Sequence, residues 1–360
     1  MKPTSLELNN KSYSYEQIKN GSYKPSSSFE ERTLLFCQEW LNGKDQFEQK
    51  TSGSTGKPKA IHINRKMMTV SASQTVKALK LKSNDVALVC VDPAYIAGKM
   101  MLVRAFEHDM QIIIVEPSAN PVEKVDKQFH FIAMVPLQLQ NVLNNTDTLD
   151  KLNGCKAVLV GGAPVSAHLS SQLAILEIPV FGTYGMTETV SHIALKRLSA
   201  PPEKFYTVIG DSKLRVNKND QLVIKGSITN NKDVVTNDRV QLLTPTTFIW
   251  LGRTDNVINS GGVKIQIEEV EASISLLFER MEINNRFFLD AVKDEALGQK
   301  LILLVEGHEH DVPSNLMEKL KLELEKFECP RDIILVPEFD ETSTGKIDRR
   351  SSIEKRRWQN

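Results

Sequence analysis

Nine consecutive residues, Thr51-Ser52-Gly53-Ser54-Thr55-Gly56-Lys57-Pro58-Lys59, hold two glycines, four hydroxyls and two lysines. Flexible backbone amides, hydroxyl donors and cations in so short a stretch make a grip for phosphate. The spacing is not that of a P-loop: Gly53 and Gly56 are separated by only two residues, and Pro58 prevents the lysine from opening a helix. A P-loop NTPase is disfavoured. Taken alone, the segment leaves open the plainer reading of a flexible surface turn.

A second stretch, Phe181-Gly182-Thr183-Tyr184-Gly185-Met186-Thr187-Glu188-Thr189, follows an apolar run, Ile178 to Phe181. Loops at carboxyl ends of strands are where α/β sheets take ligands. Tyr184 can stack on a base, Thr187 can bond a phosphate, and Glu188 can hold a hard cation; the plain alternative is an ordinary strand-to-helix loop with a capping Thr. The third stretch, Gly252-Arg253-Thr254-Asp255 continuing to Ile265, suits a hinge, because polar residues and glycines gather where the composition changes. The fourth, Thr342-Ser343-Thr344-Gly345-Lys346-Ile347-Asp348-Arg349, puts a lysine at the tip of a polar loop that by itself would read as a surface turn.

These segments need a scaffold, and apolar runs at 86–91, 111–115, 131–135 and 157–161, each followed by a longer mixed segment, supply one. Strands buried on both faces and joined by helical crossovers give a mainly parallel α/β sheet. Upstream, Ser27 to Glu30 forms an S-x-x-E capping box for a short helix that ends at Gly43. Short β-rich pieces between about 205 and 250 predict a small antiparallel subdomain. After Asp255, a helix (Glu268 to Arg280), a strand (Leu301 to Val305), a helix (Pro313 to Phe327) and a strand (Asp332 to Val336) predict a compact α+β module.

The 360 residues carry 45 Lys plus Arg and 45 Asp plus Glu, so no global field attracts nucleic acid or an anionic membrane. An anion must be held locally. With 41% hydrophobic residues and roughly 150 residues per domain, two domains are expected. Cys37, Cys90, Cys155 and Cys329 have no metal or disulfide spacing and are expected as reduced, buried thiols. No basic-apolar leader and no apolar run of ~20 residues is present, so the expectation is a cytoplasmic protein without membrane insertion.

In this order, the four segments resemble the signature motifs of the adenylate-forming superfamily, which includes acyl-CoA synthetases, aryl-CoA ligases, luciferases and stand-alone adenylation domains. The resemblance runs from about residue 45 to 352. It implies that Thr51, Ser52, Gly53, Ser54, Thr55, Gly56 and Lys57 cover the β- and γ-phosphates of ATP. It further implies that Gly161, Gly162 and Ala163 line the adenine pocket together with Gly182, Thr183, Tyr184, Gly185 and Met186, with Tyr184 on the base, Thr187 on the α-phosphate and Glu188 on Mg²⁺. Asp238 matches the carboxylate that binds the ribose hydroxyls, although the usual preceding glycine is Asn237 here, and Arg253 matches a second ribose contact. Asp255 matches the hinge between a large domain, 1–254, and a swinging lid, 255–360, that brings Lys346 to the α-phosphate. An acyl-AMP would form with release of pyrophosphate, and coenzyme A would then take the acyl group past the Ser260-Gly261-Gly262 side.

The family's first subdomain is longer than the 50 residues found here before the phosphate loop, which implies a truncated N-terminal domain. Short chains of this kind resemble the o-succinylbenzoate-CoA ligases of menaquinone biosynthesis, and Tyr95-Ile96-Ala97-Gly98-Lys99-Met100-Met101 followed by Arg104 looks like their substrate-side motif. Tyr95, Lys99, Ser191 and His192 are the candidates for the acid. Three alternatives stay open: a ligase for another aryl or short-chain acid, an adenylating enzyme that loads a carrier protein, and a nucleotide-binding homologue without catalysis.

Overall fold

A computed structural model describes residues 2–50, 60–341 and 347–356. The chain starts with a hairpin, β1 (Ser5–Leu8) and β2 (Lys11–Ser14), where the sequence had promised only a polar lead-in. Helix α1 (Tyr15–Lys19) and helix α2 (Ser28–Leu41) follow. Ser27 caps α2 by accepting from the Glu30 amide, but Glu30 does not reciprocate as a capping box would. Its carboxylate instead accepts from the amide and hydroxyl of Ser26. A second hairpin, β3 (Gln46–Lys50) and β4 (Ala60–Asn64), pairs Lys50 with Ala60. Residues 51–59, which join them, are the phosphate-loop candidates and lie outside the described residues.

Next come α3 (Arg65–Ala78), β5 (Val86–Val89), α4 (Ile96–Glu107), β6 (Gln111–Ile114), β7 (Phe131–Met134), α5 (Pro136–Leu143), α6 (Thr146–Asp150), β8 (Ala157–Val160), α7 (Ala167–Ala174) and β9 (Val180–Gly185). The four apolar runs are β5, β6, β7 and β8. They are apolar throughout because both faces are covered: Ala87 and Val89 of β5 point into one helix-backed core, Val86 and Leu88 into the other.

Strands β10 (His192–Arg197) and β11 (Tyr206–Val208) come next, then β12 (Lys213–Val216), β13 (Leu222–Lys225), β14 (Val234–Val235), β15 (Asp238–Thr244) and β16 (Thr247–Arg253). The large sheet has eleven strands in the order β15-β16-β11-β10-β9-β8-β7-β5-β6-β1-β2. Its centre, β9 to β1, is parallel, and antiparallel strands extend both ends. Only β12, β13 and β14 form the separate small sheet expected for 205–250; β11, β15 and β16 continue the large one. Leu222, Ile224 and Ile228 of the small sheet region pack with Tyr184, Val240 and Phe248 into a shared core.

The C-terminal part has its own sheet. Strands β17 (Val257–Ser260) and β18 (Val263–Gln266) turn at Gly261 and Gly262, both at positive φ, so the glycine-rich hinge candidate is a regular hairpin beyond residue 256. Helix α8 (Ile267–Arg280) buries Ile267, Val270, Ile274, Leu277 and Phe278, a helical stripe. Strands β19 (Phe287–Asp294) and β20 (Gly298–Glu306), helix α9 (Leu316–Glu323), strand β21 (Asp332–Val336) and helix α10 (Arg349–Arg356) complete it. Helices α8 and α9 cover one face, and Phe288, Ile302, Leu304, Val336 and Phe339 form a second core on the other. Helix α9 is shorter than the expected 313–327, because a 3₁₀ turn at Glu309–Asp311 precedes it and Leu324 is already extended. Among the described residues, no helix is long and apolar enough to cross a membrane.

All four cysteines are free and buried. Burial pushes the Cys90 and Cys155 thiols up to about 12 and raises that of Cys37 as well. Disulfide-exchange labelling of the native protein at about pH 8 should therefore be slow at Cys37, Cys90 and Cys155 and complete only in denaturant, because only the thiolate attacks. Rapid labelling of any of these three in the native state would show that the core does not protect them.

Candidate active site

Strand β9 does not stop at Phe181, as the apolar run alone predicts. It continues through Gly182, Thr183, Tyr184 and Gly185 because β10 pairs with it, Tyr184 opposite Ala194 and Gly185 opposite His192. The register shifts between His192 and Ala194, and the backbone there runs so close to Gly185 that a Cβ would penetrate the Ser191 carbonyl and the His192 Cα. Glycine is needed for that approach. The link between the strands is a 3₁₀ turn, Thr187–Thr189, closed by the buried Thr189 hydroxyl, which bonds the Met186 carbonyl at 3.0 Å and the Ser191 carbonyl at 2.8 Å. Val190 adopts φ 65°, ψ −47°, a strained backbone for a β-branched residue. Thr187 is half-buried and Glu188 exposed on the outside of this turn.

On the β16 side of the turn, the Tyr184 hydroxyl donates to Asp238 Oδ2 at 2.7 Å, and Trp250 Nε1 donates to Asp238 Oδ1 at 3.1 Å. Burial, then the Asp238 charge, drive the Tyr184 hydroxyl far above its ordinary range, so it stays a donor. The Tyr184 ring packs edge-on against Phe248 at 5.1 Å and beside Tyr206 at 5.8 Å, which fixes its plane. Each Asp238 oxygen keeps a further lone pair, so the buried carboxylate can still accept from two hydroxyls. Asp238 faces Arg253 across the β15–β16 ladder. The Arg253 guanidinium is already engaged with Asp255, Nε to Oδ1 at 2.8 Å and Nη2 to Oδ2 at 2.6 Å, and its Nη1 has no partner among the described residues.

Asp255 is held twice, since the Asn237 amide also donates to its Oδ2 at 3.2 Å. Burial raises its pKa, but the Arg253 bonds and charge and the Asn237 bond outweigh burial and hold it below the usual carboxylate range. The Asn237 carbonyl in turn accepts from the Thr254 amide and hydroxyl. The residue that replaces glycine before Asp238 thus ties β15 to the hinge candidate. From the far side, Glu268 and Gln266 bond the Arg253 backbone, and Gln266 accepts from Arg239.

Gly161, Gly162 and Ala163 follow β8. A Cβ on Gly161 would strike the Thr183 hydroxyl, which donates to the Val160 carbonyl at 3.2 Å, so Thr183 is spent on joining β8 to β9.

On the other side of the turn stands the arginine that closes the substrate-side motif, which was not counted among the candidates for the acid. Arg104, on α4, is 2% exposed, and among the described residues it has no acidic partner. Its Nη2 donates to Ser191 Oγ at 2.7 Å, while its buried Nε has no partner among the described residues. Burial alone pushes its pKa down to about 9. His192 lies behind Ser191, with Nδ1 at 3.4 Å from Ser191 Oγ and Nε2 at 2.9 Å from Thr75 Oγ1. Burial, then the Arg104 charge, push His192 well below its ordinary range. Two of the acid candidates, Ser191 and His192, therefore meet at Arg104. Lys99 does not: its ammonium donates to Gln49 Oε1 at 2.8 Å and to the Glu48 carbonyl on β3. Tyr95 is the half-buried residue at the start of α4 and caps it without a side-chain bond. The available signal for Arg104 was a lone cation inside an apolar helical run, Met100 to Phe106.

No group of three or more His, Cys, Asp or Glu that could cage a metal occurs among the described residues. One exposed carboxylate, Glu188, fits an ion such as Mg²⁺ that keeps most of its waters and takes the rest of its ligands from phosphates. Lys346 lies outside the described residues, but its flanks are fixed. Glu341 bridges to Ile347, and Arg349 bonds the half-buried Glu271 at 2.9 Å.

The family described as AMP-binding enzyme matches residues 49–221. A solved acyl-CoA synthetase (AMP-forming)/AMP-acid ligase II-like protein from Dyadobacter fermentans is 40% identical, with 94% of this chain and 97% of that chain covered and a TM-score of 0.62. A 2-succinylbenzoate–CoA ligase of Haemophilus influenzae is 26% identical over 337 residues, covering 86% of this chain and 72% of its own length. The o-succinylbenzoate coenzyme A synthetase of Bacillus subtilis, solved with ATP and magnesium ion, shares the fold at a TM-score of 0.73 and 20% identity, over 85% of this chain and 69% of that one. With sequence motifs, site geometry and a 40% identical full-length relative in agreement, this chain belongs to the family of AMP-binding enzymes.

Proposed function

We propose that the chain is an AMP-forming acid–thiol ligase whose acid is an aromatic dicarboxylate, 2-succinylbenzoate. The observation that carries the substrate is Arg104. A guanidinium this buried, with one neutral partner and an unpartnered Nε among the described residues, holds a cation that no described acidic group compensates. A carboxylate that is not the reacting one supplies the missing charge and can bond the guanidinium edge. Ligases for this acid among the chain's relatives support the same choice.

In this reading Tyr184 offers a fixed ring face to adenine, and Asp238 takes the ribose diol on the lone pairs that Tyr184 and Trp250 leave open. Thr187 meets the α-phosphate, and Glu188 holds Mg²⁺, which when bound offsets phosphate charge. Residues 51–57 cover the outer phosphates. The substrate carboxylate oxygen attacks the α-phosphorus, the bond to the bridging oxygen breaks, and pyrophosphate leaves. Lys346, carried by the segment after Asp255, places a cation where charge builds in that transition state. In the second step the coenzyme A thiol, losing its proton, attacks the acyl carbonyl and AMP departs.

Residues 255–360 form the lid in this reading, and its rotation must break the Asn237–Asp255 bond while the backbone at 254–256 turns. Large and small parts then trade one set of polar contacts for another.

Coenzyme A consumption with ATP, Mg²⁺ and 2-succinylbenzoate, run beside benzoate, coumarate, acetate and medium-chain fatty acids, should favour 2-succinylbenzoate and yield AMP and pyrophosphate. Preference for another acid removes the substrate, and no pyrophosphate with any acid removes the ligase. Lys346→Ala should slow acyl-AMP formation about a hundredfold to a thousandfold, the loss typical of one donor to a charged transition state; an undiminished rate sinks the mechanism. Wild-type protein should bind 2′,3′-dideoxy-ATP about tenfold or more weaker than ATP, and Asp238→Asn should erase most of that difference, as a mutant cycle requires when the two groups touch. An equal preference in both proteins would place the ribose elsewhere.

A further inference from the structure

Between α3 and β10 lies a chain of four buried or half-buried polar groups that ends on the guanidinium: Thr75, His192, Ser191 and Arg104. None of the four has an acidic partner among the described residues. The direction of each bond can be worked out from the one proton each hydroxyl owns.

Thr75 donates its hydroxyl proton to the Ser71 carbonyl one helical turn back, at 3.1 Å. Its oxygen therefore accepts from His192 Nε2, and His192 Nδ1 is left bare. Bare Nδ1 accepts the Ser191 hydroxyl proton, so the Ser191 oxygen turns its lone pairs to Arg104 Nη2. The opposite direction would place a proton on Nδ1 facing Ser191, whose own hydroxyl proton has no other acceptor among the described residues. Protonated His192 would put a second cation beside Arg104 in a buried place, and both burial and Arg104 oppose this.

We infer that His192 is a positioning residue for the acid substrate: locked by Thr75 as the neutral Nε2–H tautomer, it turns Ser191 into an acceptor that holds Arg104 with its Nε edge free for the non-reacting carboxylate. This rests on the assignment of that carboxylate to Arg104 made above. The relay reaches the substrate only through Arg104, so its loss is felt in the binding of a dicarboxylic acid and not in the binding of ATP. It also specifies an acid class, since a monocarboxylic acid has no group to meet Arg104.

Two-bond ¹H–¹⁵N spectra of protein labelled at histidine should show His192 neutral and protonated at Nε2 at about pH 7. An imidazolium or an Nδ1–H tautomer overturns the relay. In steady-state assays, His192→Leu should raise KM for 2-succinylbenzoate about tenfold with KM for ATP within about twofold, and His192→Asn, whose amide oxygen stands in for Nδ1, should recover most of it. Thr75→Val, distant from the substrate and close in volume, should raise the same KM about threefold to tenfold and admit the other tautomer in the spectra.

Arg104→Met separates the two levels of argument. If it leaves both KM values unchanged, the carboxylate assignment falls, and the relay with it. If it raises KM for 2-succinylbenzoate by about a hundredfold while His192→Leu, His192→Asn and Thr75→Val all behave as wild type, the relay alone falls.

Discussion

Everything about the candidate site depends on how closely β10 returns past Gly185. With no Cβ at that position, the Ser191 carbonyl and the His192 backbone lie against the end of β9. The turn between them has only 3₁₀ geometry, a buried threonine and a strained Val190 to accomplish the reversal. Tyr184, one residue before the glycine, reaches Asp238. Ser191, one residue before the strand resumes, reaches Arg104. A single close approach thus sets the Asp238 side and the Arg104 side of the candidate site back to back. The proposed reaction requires that closeness, because in it the carboxylate and the α-phosphate have to meet at bonding distance.

The two halves are built on the same physical plan. Asp238 and Arg104 are both buried charged side chains whose direct hydrogen bonds go to neutral groups, Tyr184 and Trp250 for one and Ser191 for the other. Neutral partners fix geometry without neutralising charge. Burying charge in this way costs stability, and the cost is offset elsewhere by the two large cores that flank the sheet. In the proposed reading, a chain with 45 cations and 45 anions selects its anionic substrate through one desolvated guanidinium and not through the overall field.

Legibility in the sequence followed the same division. Runs buried on both faces, such as Val86–Val89 and Ala157–Val160, stand out because every residue is apolar. The hairpin of β1 and β2 does not, because half of its positions face solvent, and β15 at the sheet's edge alternates for the same reason. Gly182 to Gly185 reads as loop by composition, yet pairing with β10 makes it strand, which is a long-range decision that no local propensity encodes. Motif residues were legible as a set, and Tyr184, Asp238, Arg253 and Asp255 do come together. What joins them was not legible: Trp250 on the carboxylate, Asn237 on the hinge candidate, and the Gln266–Glu268 contacts to Arg253 depend on strands meeting across distances in sequence.

Lys99 and Arg104 show where helical geometry decides between candidates. Five residues along a helix rotate a side chain by about 140° from the starting direction, at ~100° per residue. The two cations of α4 therefore cannot serve one site. Lys99 leaves the helix toward the Glu48–Gln49 strand and stays half in water, where a lysine can keep its hydration. Arg104 is directed inward on a helix whose Met100, Met101, Val103 and Ala105 are also buried, and it is only 2% exposed. Of the two, only the guanidinium can stay ionised through such burial and still present a planar edge of donors. A lysine in its place would lose its proton more readily and could not both hold Ser191 and offer a second parallel bond. The residue type, its face of the helix and the lack of an acidic partner among the described residues all suit the proposed role, in which the acid's second carboxylate is met inside the protein rather than at its surface.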